Sequence, residues 1–293
     1  MKNLSVENVY TRATAKELTR KYFWKLLGMS AVAFGIPYAM MFAVNLLTTP
    51  MTQTQPGLYM VLTLVLSLAV SLATCGLTLG LLAAMINLCR GQDDLRIGAV
   101  FSHMGYTLKA FGLGLWVALK TLFWMLPGYV VIFAGLVGTM SSVDMTTGMI
   151  SESAAGTMVL LMFGGLILML VLGLPATYRY MMANYILADK PDTGVFACVR
   201  ESKAMMKGHK WQCFKLIVPI ILVLYVIMLV VGVALGAASA MLANTPAAEA
   251  LLNVITMIVM VAVSIVYMIR MYLCYALFYV KRADAPADET SAE

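Results

Sequence analysis

Six long apolar stretches, separated by short polar connections, run along this chain of 293 residues. A helix that rises 1.5 Å per residue needs ~20 apolar residues to cross a hydrocarbon core about 30 Å thick. Each stretch is apolar on all faces, unlike the alternating strands of about ten residues in a membrane barrel. The pattern therefore predicts an all-α fold, a polytopic integral membrane bundle with about six transmembrane helices. These spans cover roughly 26–47, 58–88, 111–137, 158–186, 214–242 and 251–280, between a basic N-terminal segment at 1–25 and a tail at 281–293.

Composition supports the same reading. Hydrophobic residues make up 62% of the chain and charged residues 12%, and the mean hydropathy is +0.89. This is more apolar side chain than one soluble core could hide from water. Since no connection is long enough to fold into a soluble domain, we expect the protein to act within or against the bilayer.

The basic residues are distributed unevenly along the chain. Sixteen of the 20 lysines and arginines lie in the N-terminal segment, the second and fourth connections and the tail, whereas the first, third and fifth connections contain none. Lysine and arginine tend to remain on the cytoplasmic side of short loops. The distribution therefore predicts a multi-pass protein of the cell membrane with both termini in the cytoplasm.

The fourth connection holds the strongest candidate binding surface. Arg200, Lys203, Lys207 and Lys210 follow a spacing of i, i+3, i+7 and i+10, which places them in one narrow sector of a helix. Apolar residues occupy the neighbouring face, so the segment is typical of an amphipathic helix lying on the membrane. Its basic edge is a candidate site for anionic lipid, for a membrane-protein partner or for a second copy of the chain. The alternative is that these charges only set the topology of a solvated loop.

Lys120 interrupts the third apolar stretch. A charge in hydrocarbon costs a few kcal/mol or more, so such a residue lies either at the membrane surface or beside a polar cavity. Pro127 and Gly128 follow it and could kink the helix. A polar cavity near Lys120 would favour a small-solute transporter or permease component, which is the alternative function.

Signatures of chemistry are missing from the sequence. There is no phosphate-binding, zinc-protease or serine-nucleophile motif, and His103 and His209 lie in different connections without cysteine or carboxylate at ligand spacing. Topology accounts for the basic excess, so nucleic acid is not an expected partner. The leading hypothesis is a non-enzymatic envelope or accessory protein without a metal or cofactor, whose partners are membrane lipids.

Two segments of the chain resemble a known bacterial family of integral membrane proteins, domain of unknown function 975. They read GLTLGLLAAMINLCRGQDDLRIGAVF and LGLPATYRYMMANYILADKPDTGVFACVRESKAMMKGHKWQCF. The resemblance rests on a Leu-x-Arg-Gly turn after an early span and on a Ser-x-x-x-Met-x-Gly-x-x-Trp-x-x-Phe segment after an aspartate. In this chain those motifs are Leu88, Arg90, Gly91, Asp189, Ser202, Met206, Gly208, Trp211 and Phe214. The resemblance implies a polytopic architecture and supplies no activity.

Overall fold

The computed structural model describes residues 2–51, 55–92, 95–141, 152–241 and 246–284, and within these ranges it is helical without strands. The predicted all-α fold is confirmed. Two short 3-10 turns, Ile97–Phe101 and Met104–Tyr106, precede the fourth helix. The helices are α1 Lys2–Lys21, α2 Phe23–Thr48, α3 Pro56–Cys89, α4 Thr107–Met140, α5 Glu152–Tyr180, α6 Ala183–Asp189, α7 Val195–Met205, α8 Lys210–Met241 and α9 Pro246–Ala283.

Six helical segments in these ranges are long and apolar enough to cross a membrane. They correspond to the six predicted spans, and the protein is a membrane protein. The helices extend beyond most predicted bounds, because helical hydrogen bonding continues into polar residues that an apolar run excludes. One predicted span, 158–186, is interrupted, since α5 ends at Tyr180 and α6 begins at Ala183. Most of the predicted tail at 281–293 and the centre of the third predicted connection lie outside the described residues.

The helices fall into two compact units. The first unit comprises residues 1–111, 184–193 and 211–293. In it α2 packs against α3, α3 and α1 pack against α9, and the first 3-10 turn packs on α2 and α3. Leu26, Met85 and Tyr279 are among its fully buried side chains. Gly80 of α3 lies so close to the Val100 carbonyl that a side chain would collide with it.

The second unit comprises residues 112–183 and 194–210. In it α4 and α5 form an antiparallel hairpin whose backbones meet at two glycines. A Cβ atom at Gly128 would lie 2.7 Å from the Gly165 carbonyl oxygen, and one at Gly165 would lie 2.8 Å from the Gly128 carbonyl oxygen. Only glycine permits so close an approach of two helices. Gly128 therefore packs the hairpin, within a helix that continues to Met140.

Two glycine pairs, Gly76 with Gly80 in α3 and Gly232 with Gly236 in α8, have the spacing typical of close helix packing, but the second pair is not crowded. A side chain on Gly232 would make only an ordinary contact with Met260, and one on Gly236 would meet nothing within 4 Å. The spacing of two small residues thus predicts close packing at Gly76 and Gly80, where neighbours crowd both positions, but not in α8.

Candidate functional site

The four candidate binding residues of the fourth connection occupy three places in the structure. The prediction that all four share one helical sector is wrong beyond Lys203, because α7 ends at Met205 and α8 begins at Lys210. Gly208 causes the break, since its φ of +82° lies in the left-handed region that glycine adopts most readily. Arg200 and Lys203 lie on α7, Lys207 lies in the turn, and Lys210 opens α8.

The apolar face of α7 packs within the protein, and that the helix lies on the membrane stays a prediction. Cys198, Val199 and Ser202 are buried, and α7 packs against α5. The Ser202 hydroxyl donates a hydrogen bond of 3.0 Å to the carbonyl oxygen of Arg179, near the end of α5. This face fixes the helix so that Arg200 and Lys203 are exposed on its other side.

Arg200 and Lys203 border an open cleft of about 280 Å³ together with Lys120, which α4 contributes. Residues that the sequence suggested for two different functions, Arg200 and Lys203 for one and Lys120 for the other, therefore share one site. We call it the basic cleft. Its lining residues are Trp116, Lys120, Tyr180, Phe196, Val199, Arg200 and Lys203.

Aromatic rings form part of the basic cleft, and one of them contacts the Lys120 ammonium group. The Trp116 ring meets Phe196 edge to face, with 5.1 Å between the ring centroids. The ammonium of Lys120 lies 4.9 Å from the centre of the Trp116 ring, which is a favourable cation–π distance. Because Trp116 precedes Lys120 by one helical turn, the ring and the ammonium group belong to the same face of α4.

A second open cleft, of about 240 Å³, adjoins the first. The two clefts share Trp116, Lys120 and Tyr180. The other lining residues of the second cleft carry no charge, and we call it the aromatic cleft. Its lining residues are Trp116, Leu119, Lys120, Phe123, Trp124 and Tyr180.

The electrostatics of this region are strongly positive. Three cations and no carboxylate occur among the residues that line the basic cleft. Two further cations lie close by. The guanidinium of Arg179 lies 5.6 Å from the Trp124 ring centre. Burial and the charges of Arg179 and Lys203 lower the pKa of Lys210. Such a lining suits an oxyanion, because lysine and arginine form charge-assisted hydrogen bonds with carboxylate or phosphate. Within the described part of the chain, no group of three His, Cys, Asp or Glu side chains could hold a metal ion.

A second charged group, in the first unit, has a different character. Arg90, at the turn that follows α3, forms two parallel hydrogen bonds with the carboxylate of Asp189, one of them 2.9 Å long from Nη2 to Oδ2. The same guanidinium donates to both oxygens of Asp284, at 3.1 and 3.0 Å. The Tyr279 hydroxyl donates to Asp189 over 2.9 Å. We call Arg90, Asp189, Tyr279 and Asp284 the carboxylate clasp.

The clasp joins residues that are distant in sequence. The hydrogen bonds of Arg90 with Asp189 and with Asp284 raise the pKa of Arg90 above its ordinary value, so the guanidinium stays charged. Gly91 has a φ of +84°, which glycine adopts readily, and it follows Arg90 in the turn where Arg90 contacts both carboxylates. Sequence reasoning quoted Arg90 and Asp189 as motif residues but did not pair them.

The other residues that carry the resemblance also have structural roles. Met206 is fully buried, Gly208 forms the turn between α7 and α8, and the rings of Trp211 and Phe214 stack with centroids 5.0 Å apart. Each therefore shapes a helix end or a packing contact. The cations of the basic cleft are not among the motif residues.

Comparison with known proteins identifies a family for the chain. No curated protein and no solved structure matches the chain. The model of one family, described as "Protein of unknown function (DUF975)", matches residues 12–235. The match covers both motif segments, the whole of α7 and every residue that lines the two clefts. The chain is therefore a member of the DUF975 family of proteins of unknown function.

Proposed function

We propose that this protein is a non-enzymatic accessory protein of the bacterial cell membrane and that it binds anionic lipid through the basic cleft. The observation that carries the proposal is the lining of that cleft, where Lys120, Arg200 and Lys203 meet without a carboxylate. A site of this charge favours a phosphate or carboxylate group. The membrane is the nearest abundant source of such groups for a protein with six apolar spans.

The position of Lys120 along α4 supports a location at the membrane surface. Twenty residues follow Lys120 before α4 ends at Met140. At 1.5 Å per residue they extend about 30 Å, which is the thickness of the hydrocarbon core. Lys120 can therefore lie at the level of the headgroups while the rest of α4 crosses the bilayer.

The charge pattern of the sequence indicates which surface this is. The fourth connection, which contributes Arg200 and Lys203, is one of the basic connections, and the positive-inside tendency assigns these to the cytoplasm. The proposal accordingly places both termini and the basic cleft on the cytoplasmic side. The anionic headgroups of the inner leaflet attract basic segments by about 1 kcal/mol per lysine or arginine.

The four predicted cations provide a test with an internal control. One variant, Arg200→Gln/Lys203→Gln, removes two charges that line the basic cleft, and the other, Lys207→Gln/Lys210→Gln, removes two that do not. Both variants lose the same net charge from the same connection. We expect native mass spectra of protein released from mixed nanodiscs to show anionic lipid retained by the wild type and by the second variant, with retention weakened about tenfold in the first.

Two results would contradict the proposal. Equal losses in the two variants would show that net charge alone attracts lipid, and the connection would then be only a topology signal. Retention of an acidic protein or of a second copy in place of lipid would identify the other kind of partner.

A second candidate function rests on Lys120 alone. This half-buried lysine borders both clefts, and a polar route past it would favour a small-solute transporter. In that case a Lys120→Cys variant would react with membrane-impermeant thiol reagents from both sides of the membrane. Reaction from the cytoplasmic side alone is the result that lipid binding predicts.

A further inference from the structure

We infer that the two clefts together form one site for a single anionic phospholipid, with its phosphate in the basic cleft and one acyl chain in the aromatic cleft. The inference rests on the proposed function and adds the class of ligand and its orientation. It is carried by the continuity of the clefts, which share Trp116, Lys120 and Tyr180. A ligand that fills both must be charged at one end and apolar at the other.

The charged end fits a phosphate better than it fits a dispersed surface charge. Arg200 and Lys203 approach the basic cleft from α7 while Lys120 approaches it from α4, so cations converge from two helices. The cation–π contact with Trp116 restrains Lys120 before any ligand binds. Restrained cations lose less side-chain entropy when they bind an anion, which favours a defined site over a diffuse one.

The apolar end continues along one side of α4. Leu119, Phe123 and Trp124 add an uncharged lining to the three shared residues. All three are substantially exposed in the protein alone. Trp124 lies four residues beyond Lys120, so this surface continues about 6 Å along the helix axis from the cation toward the hydrocarbon, where the first part of one chain can lie.

The two ends are expected to contribute unequally. An acyl chain that moves from the bilayer to a protein surface gains little, because lipid tails are already as apolar as leucine side chains. The phosphate contacts should therefore supply the selectivity, and the aromatic cleft should fix where the chain lies. A neutral lipid with identical chains is expected to compete poorly for the site.

Tryptophan fluorescence provides the test, because bromine atoms on an acyl chain quench a nearby indole. Trp24 and Trp211 are largely exposed, so the background for the experiment is Trp24→Phe/Trp211→Phe, which retains Trp116 and Trp124. The protein is placed in nanodiscs of unbrominated phosphatidylcholine containing increasing fractions of chain-brominated phosphatidylglycerol. A parallel series contains chain-brominated phosphatidylcholine instead.

We expect saturable quenching by the brominated anionic lipid at fractions where the brominated neutral lipid quenches little. Introducing Arg200→Gln/Lys203→Gln should raise the lipid fraction needed for half-maximal quenching about tenfold. Lys207→Gln/Lys210→Gln, which removes no lining cation, should raise it much less, and an unaltered helical circular dichroism spectrum shows that each variant is folded. Glycerol phosphate and inorganic phosphate, which lack a chain, should not reverse the quenching.

The results that would contradict this inference differ from the result that would contradict the proposed function. Equal quenching by the anionic and neutral lipids would overturn the inference, because the chain would then be bulk lipid. Reversal by inorganic phosphate would assign the basic cleft to a free anion. Anionic lipid retained in native mass spectra without selective quenching would overturn this inference and leave the proposed function standing, whereas failure of the wild type to retain anionic lipid would overturn the proposed function first.

Discussion

The carboxylate clasp and the basic cleft show two ways in which this protein uses its few charges. In the clasp, one arginine is hydrogen-bonded to two carboxylates, and a tyrosine hydroxyl donates to one of these carboxylates. In the basic cleft, three cations share the lining with aromatic rings, and no carboxylate lines the site. Charges that are paired with one another hold helices together, whereas cations without a carboxylate at an open surface are suited to a ligand that supplies the missing charge.

The largest effect is expected from breaking the clasp. Asp189→Ala removes the two-pronged partner of Arg90 and the acceptor of the Tyr279 hydroxyl, and it should lower the free energy of unfolding by about 2 kcal/mol. Thermal unfolding in detergent measures this as a reduced Tm. Asp284→Ala is the control within the clasp, since Asp284 is 49% exposed against 12% for Asp189 and should matter less. Equal Tm values for wild type and Asp189→Ala would mean that the clasp does not stabilise the fold.

The next largest effect is expected on lipid binding, when a carboxylate like those of the clasp is added to the basic cleft. Phe196 borders the basic cleft and is exposed, so Phe196→Glu introduces a carboxylate among Lys120, Arg200 and Lys203. We expect retention of anionic lipid to fall about tenfold, because the new carboxylate competes for the cations. Phe196→Gln, which removes the ring without adding a charge, serves as the matched control. A similar loss in both variants would show that the ring, and not the charge balance, governs binding.

The sequence was sufficient for the helices because the energetic requirement is local. A run of about 20 apolar residues has few alternatives to a membrane helix, and all six runs are helical in the described residues. The interruption after Tyr180 was missed, since apolar composition continues through 158–186 and does not reveal where the hydrogen-bonding pattern breaks.

The site was predictable only in part. The cations Arg200, Lys203 and Lys120 stand out by charge alone, but their meeting depends on how α4, α5 and α7 pack. Trp116 could have been found, because it lies one turn before Lys120 on the same helix face. The pairing of Arg90 with Asp189 and Asp284 could not, since these partners are 99 and 194 positions away.

A smaller, pH-dependent effect is expected at Glu7, which accepts a hydrogen bond of 2.7 Å from Lys281. Burial raises the pKa of Glu7, but this hydrogen bond and the charges of Lys281 and Arg282 outweigh it, so the pKa lies below its usual value of 4.5. The stabilisation is therefore present above about pH 4.5 and is lost as the pH falls through the folded-state pKa. Because Lys281 is exposed, this stabilisation amounts to less than about 1 kcal/mol.

Glu7→Gln tests this contribution. We expect the Tm of the variant to lie slightly below that of the wild type at pH 7 and to approach it at pH 3. A Tm difference that is independent of pH would mean that the ion pair is not its source.

The smallest effect is a change in stability whose sign is expected to differ between the basic cleft and the carboxylate clasp. Lys203 lies near other cations, among them Lys210, so Lys203→Gln relieves repulsion where Asp189→Ala removes attraction. We expect the Tm of Lys203→Gln to equal or slightly exceed that of the wild type, with the free energy of unfolding raised by no more than a few tenths of a kcal/mol. Lys207 lies in the neighbouring turn and outside both cleft linings. Lys207→Gln should therefore have a similar Tm to Lys203→Gln, but it should retain anionic lipid as the wild type does. A marked loss of Tm in Lys203→Gln would mean that the basic cleft holds the helices together, as the clasp does, and is not held ready for a ligand.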